Sequence, residues 1–205
     1  MKTQPIFKTN YILVGFLVTM AGMIGFAVVF RDAFLSFLQH PAMYNHARFL
    51  HVAAVTLFFA NAVVGMLWEK RSLASDRKEV ILHTYDTVAL LDSQFSSPLI
   101  MLSVLGGLSL SVHIGDLWQI GWLSVSFLLF LLSGILWVVS DIPTQYKVKR
   151  LMSSLDPEDP TLPDELIRLL RLRSWISMAG VVPLIVVFVL MVYRPEITAV
   201  ADWFR

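Results

Sequence analysis

The chain has 205 residues, of which 57% are hydrophobic and 15% charged, with no cysteine and a formal net charge of +1. A soluble domain typically carries about 45–50% apolar and about 25% charged residues, so this chain is too apolar for disorder and too poor in charge for a nucleic-acid-binding arm. Without cysteine it has no disulfide framework and no thiol metal or covalent-haem motif, and a near-neutral charge selects no electrostatic partner.

Five stretches contain no Asp, Glu, Lys or Arg: residues 11–30, 49–68, 93–114, 117–140 and 174–193. Each has at least 20 residues, and about 20 helical residues cross the roughly 30 Å hydrocarbon core of a bilayer. The pattern therefore predicts an all-α integral membrane protein, a single bundle of five transmembrane helices. The first stretch follows Lys2 and Lys8, as a signal peptide would. Its apolar core is too long for one, however, and Val28-Val29-Phe30-Arg31 offers no small-residue cleavage site; it is expected to be an anchor helix. Ala21 and Gly25 in it are expected to permit close helix contacts.

The second stretch is apolar around almost its whole circumference, as a lipid-embedded helix must be. It carries His51 near its start and Asn61 near its middle, and it ends at Trp68. Asn61 is expected to hydrogen-bond to a neighbouring helix. In the third stretch Asp92 marks the entrance, Pro98 predicts a kink, Gly106 and Gly107 predict close packing, and His113 lies at the exit. The fourth leads into a polar, helical loop, residues 141–173. There Asp156-Pro157-Glu158-Asp159-Pro160 reads as a turn, Thr161 and Asp164 resemble a helix-capping pattern, and residues 166–172 run on into the fifth span. The loop reads as a solvated cytoplasmic hairpin, with Arg171 and Arg173 near anionic lipid. Pro183 predicts a kink in the fifth span. Trp68, Trp118, Trp122, Trp175 and Tyr193 lie near span ends, as an aromatic belt does.

Counting Lys and Arg orients the bundle. With five spans, the N-terminal segment, the second loop and the fourth loop share one face and carry twelve basic residues, against four (Arg31, Arg48, Arg194 and Arg205) on the other. The positive-inside rule then puts the N-terminus in the cytoplasm and the C-terminus outside a bacterial inner membrane.

No P-loop, dinucleotide fingerprint, HExxH or GxSxG motif occurs, and no charge-free stretch is broken by a central ionisable residue of the kind that couples proton pumps. The histidines are the most informative polar residues. On this topology His83 is cytoplasmic, while His40, His46, His51 and His113 lie outside or in the outer leaflet. His51 shares a face with Phe58 and Gly65, with Asn61 nearby, and Arg48 stands three residues before it. A histidine above an apolar face with an arginine at the interface suits b-type haem: His51 on iron, Arg48 on a propionate, His113 as a second axial ligand. Three alternatives remain open on the same residues. His40, His46, His51 and His113, with Met43 between the first two, could form an outward-facing copper or zinc site. The rings could simply hydrogen-bond at the interface. The chain could also be a cofactor-free membrane subunit that works with a membrane protein partner or as a homo-oligomer. No nucleic-acid partner is expected.

Arg48-Phe-Leu-His51-Val, Asn61-Ala-Val-Val-Gly65-Met-Leu-Trp68, Phe95-Ser-Ser97-Pro98, Pro143-Thr-Gln145 and Met191-Val-Tyr-Arg194-Pro195 together resemble a bacterial family of predicted integral membrane proteins known as domain of unknown function 2269. The resemblance covers roughly residues 43–195. It implies four spans beginning at the histidine-bearing helix, so that residues 11–30 would be an addition. His51 and Trp68 are also similar to the early histidine and following tryptophan of two other membrane families, the haem-dependent protoporphyrinogen oxidases and the copper-resistance membrane proteins.

Overall fold

A computed structural model describes residues 29–156, 159 and 161–203, together with Val14, Gly15, Val18, Thr19, Ala21, Gly22, Gly25 and Phe26. The described residues before Phe30 are helical, and no strand occurs among the described residues. A short helix, α1 (Arg31–Leu38), precedes α2 (Pro41–Leu73). Then come α3 (Lys78–Ile114), α4 (Gly121–Ser153) and α5 (Asp164–Tyr193). A single turn of 3₁₀ helix, Val200–Asp202, follows.

Helices α2 to α5 are each long and apolar enough to cross a bilayer. Within their most apolar windows no more than 33% of residues are buried inside the protein. Phe49, Val139, Trp175, Val192 and Tyr193 are among the large apolar side chains that face outward. Apolar surface on this scale is the mark of a chain solvated by lipid. The four helices match the second to fifth charge-free stretches. The first stretch, with the helix contacts expected at Ala21 and Gly25, lies mostly outside the described residues.

The helices overrun the charge-free stretches because helix propagation continues while each new residue adds a backbone hydrogen bond. Helix α3 begins at Lys78, well before residue 93, and α4 runs to Ser153, into the loop expected to be helical. Both helices contain one π-helical turn, Asp92–Ser96 in α3 and Trp137–Asp141 in α4. In each case a proline, Pro98 or Pro143, stands second in the α-helical segment that follows. Proline lacks an N–H and collides with the carbonyl one turn back; the wider π turn absorbs that collision, so both helices continue. Pro183 likewise lies inside a continuous α5. That helix begins at Asp164 after Pro163 with no side-chain cap. The capping pattern expected at Thr161 is not formed, because its hydroxyl and amide both donate to Asp159.

Contacts divide the chain into two units, Met1–Asn61 with Leu90–Asp116, and Ala62–Ala89 with Leu117–Arg205. In the first, α2 meets α3 through small residues: Ala47, Ala54, Ser103 and Ser109 are buried. Asn61 donates to Ser96 Oγ at 2.8 Å, the interhelical bond its sequence position predicts. The second unit has a hydrophobic core of Ile81, Tyr85, Val148, Leu166 and Leu170. There α4 lies along α5, with Ser124 and Ser126 fully buried and Ser133 donating to the Gly180 carbonyl at 2.6 Å. Arg194 ends α5 in a left-handed conformation, its guanidinium 5.2 Å from the centre of the Trp122 ring. The chain then crosses the start of α4, where Val200 N–H donates to Ser124 Oγ at 3.1 Å. A Cβ on Gly121 would stand 1.8 Å from the Ile197 carbonyl oxygen, so only glycine fits.

Candidate functional site

Among the described residues, two groups that include ionisable side chains stand out where apolar helices meet. The first is built on His51. Its Nδ1 lies 2.7 Å from the Ser103 carbonyl oxygen. A carbonyl can only accept, so Nδ1 carries the hydrogen and donates, leaving Nε2 of the neutral ring as an acceptor. The glycine pair makes room for this. A Cβ on Gly106 would stand 2.9 Å from His51 Cβ and 3.1 Å from the Ala47 carbonyl oxygen, and one on Gly107 would stand 3.0 Å from His51 Cε1. The predicted role of Gly106 and Gly107 in close packing therefore holds, and what they admit is the histidine itself.

His113 has the same tautomer for a different reason. Its Nδ1 donates to the Ser109 carbonyl of its own helix at 3.0 Å, and Nε2 is buried with no hydrogen-bond partner. The Tyr44 ring stands edge-on to it at 5.6 Å. The two anchoring carbonyls, Ser103 and Ser109, are six residues apart, about 9 Å of helix rise. Arg48 and His46 are exposed near the start of α2. Asn61 is engaged with Ser96 rather than directed to either ring. His40 Nδ1 accepts the Ala42 amide at 3.3 Å. Among the described residues no three His, Asp or Glu side chains converge as a metal-binding group.

The second group centres on Arg173. This residue is 3% exposed, and it pairs with Glu69 (2% exposed) and Asp141 (4% exposed). Its Nη2 is 3.3 Å from Glu69 Oε1 and its Nε 3.5 Å from Asp141 Oδ1. Gln145 Nε2 donates to Asp141 Oδ2 at 2.7 Å. The Tyr85 ring lies against the guanidinium at 5.4 Å from its carbon; burial of this kind strengthens a cation–π contact. Glu69 comes from α2, Tyr85 from α3, Asp141 from the π turn of α4 and Arg173 from α5, so all four helices contribute one side chain.

This arrangement corrects the reading of Arg173 as a lipid-facing residue of a solvated hairpin. It is interior because α5 begins nine residues earlier and keeps it in phase with Leu166 and Leu170, at i, i+4 and i+7, both of which are fully buried. That phase was the available signal: a charge on an apolar stripe. A criterion that looked for charges within charge-free stretches passes over all three residues, which stand just beyond the ends of residues 49–68, 117–140 and 174–193. Chemically the group holds two carboxylates and one guanidinium, so replacing either acid and replacing the base are not equivalent changes.

No curated protein and no solved structure matches the chain. A family model described as predicted integral membrane protein (DUF2269) matches residues 45–195, a region that contains His51, His113 and the whole Arg173 group. The chain belongs to that family of predicted integral membrane proteins.

Proposed function

We propose that the protein is a bacterial inner-membrane protein with five spans, N-terminus cytoplasmic and C-terminus outside, that binds b-type haem through His51 in a redox or haem-handling role. The observation that carries this reading is the bond from His51 Nδ1 to the Ser103 carbonyl. Ligating histidines commonly donate their other ring N–H to a backbone carbonyl, which fixes the tautomer and makes the ligating nitrogen more basic. Arg48, exposed three residues before His51, is suited to pair with a propionate. His113 belongs to the same reading by chemistry, since its Nε2 is also an acceptor. Its separate anchor, however, favours His51 as an axial ligand on its own. Asn61 is assigned no cofactor contact. When bound, haem would supply one-electron chemistry; the chain's own part is to present Nε2, hold the ring and exclude water from the outer leaflet.

The test is an absorption spectrum of the full chain purified in detergent from haem-replete cells. A Soret band is expected, lost in His51→Ala and retained in His113→Ala. A colourless wild-type preparation overturns the reading. The topology has its own test: a C-terminal reporter that is active only in the cytoplasm is expected to be silent, and activity would overturn the five-span, C-out arrangement.

A further inference from the structure

The connection between α2 and α3 borders an open cavity of about 610 Å³. Trp68, Arg71 and Ser72 line it from one side and Val80, His83 and Thr84 from the other. No Asp or Glu lines it. The hydroxyls of Ser72, Ser75 and Thr87, which also line it, donate to backbone carbonyls three or four residues earlier. The donors left over are different. The side chains of Arg71, His83 and Thr84 have no partner among the described residues. The carboxylate of Glu69, which does not line the cavity, is paired with Arg173. A concave space that gathers a guanidinium, an imidazole and a hydroxyl with no carboxylate is chemically matched to a phosphate oxyanion.

We propose that this cavity binds the phosphate of an anionic lipid headgroup. The lipid source follows from its position. The cavity sits where two membrane-crossing helices end, and its rim includes Trp68, half-exposed as interfacial tryptophans are. That ring is placed to lie against the glycerol and upper acyl region while Arg71 holds the phosphate. Basic pockets between transmembrane helices on the cytoplasmic side are a recognised form of lipid recognition.

The experiment uses the full chain, delipidated in neutral detergent and titrated with phosphatidylglycerol, phosphatidylcholine or inorganic phosphate, with bound ligand read by native mass spectrometry. Phosphatidylglycerol is expected to bind at least about tenfold more tightly than phosphatidylcholine, and Arg71→Gln to remove about tenfold of that affinity, the loss typical of one charge-assisted contact. Thr84→Val is expected to weaken binding by a smaller factor. Arg77→Gln is the control: it removes the same charge from an exposed residue of the same connection that does not line the cavity, and binding is expected to be unchanged. Equal losses in Arg71→Gln and Arg77→Gln would mean diffuse surface charge and overturn the proposal. So would equal affinity for the two lipids, or displacement of phosphatidylglycerol by inorganic phosphate at equal concentration, which would make free phosphate the occupant.

Discussion

Arg173→Met is expected to be the most damaging single substitution in the second unit. At an effective dielectric constant of about 20, unit charges about 4 Å apart attract by about 4 kcal/mol, and the guanidinium takes part in two such pairs, with Glu69 and with Asp141. The cost of removing water from these groups offsets most of that gross attraction. Taking away the base, however, leaves two buried carboxylates, at 2% and 4% exposure, without their counter-charge, and Asp141 keeps only neutral help from Gln145. Breaking a buried pair from one side costs about 3–5 kcal/mol, and that range is expected here, with two acids losing one base. Glu69→Gln or Asp141→Asn leaves one acid facing one base, electrically neutral, and is expected to cost about 1–2 kcal/mol, the value of a charged hydrogen bond. The triple variant Glu69→Gln/Asp141→Asn/Arg173→Met strands no charge and is expected to recover part of the loss. The assay is reversible unfolding of the purified protein in mixed micelles by titration with sodium dodecyl sulfate, followed by far-ultraviolet circular dichroism. If Arg173→Met cost less than about 1 kcal/mol, or no more than Glu69→Gln, the site would be screened by water and the reasoning refuted.

In the first unit, Gly106→Ala is expected to cost about 1–3 kcal/mol by overpacking, because the new methyl would stand 2.9 Å from His51 Cβ and 3.1 Å from a backbone carbonyl; the same unfolding titration reads it. Gly121→Ala forces a Cβ to 1.8 Å from the Ile197 carbonyl and is expected to displace the segment after α5, read as faster proteolytic loss of the C-terminus with the helical dichroism retained. In the connection between α4 and α5, the hydroxyl and amide of Thr161 hold the fully exposed Asp159 carboxyl below its ordinary range. A depressed folded value means that this contribution to loop order is present above the unfolded pKa and is lost as pH falls through the folded one. Thr161→Val removes the larger of the two bonds and is expected to raise the Asp159 pKa towards its ordinary value, measured by carbon-detected nuclear magnetic resonance; an unchanged pKa would contradict the assignment.

Membrane architecture was legible because it is written in absence. A bilayer cannot solvate charges or unpaired backbone, so four of the five charge-free stretches correspond to membrane-length helices, and Asn61 and the glycine pair reveal themselves as exceptions within them. Helix ends were less legible. Little in the composition of residues 78–92 or 141–153 stops a helix, and Pro98, which reads as a kink, and Pro143 are each accommodated by a π turn formed just before them.

The two polar groups differ in the same respect. His51 could be picked out because it is a polar ring within a charge-free stretch, and such residues are functional hypotheses by default. Arg173 could not, because its burial depends on partners distant in the chain. Glu69 is more than 100 residues away and Asp141 more than 30, and each pair could as easily have been three solvated charges at helix ends. What separates the cases is helical phase. Arg173 repeats the spacing of Leu166 and Leu170, the two fully buried leucines of α5, and an arginine on that stripe must either bring its own counter-charges or keep the helix from packing. Phase, read beyond the ends of the charge-free stretches, would have marked Arg173 as interior and required that carboxylates be found for it. Glu69 and Asp141, each the first acid after a charge-free stretch, were the nearest candidates by kind and depth.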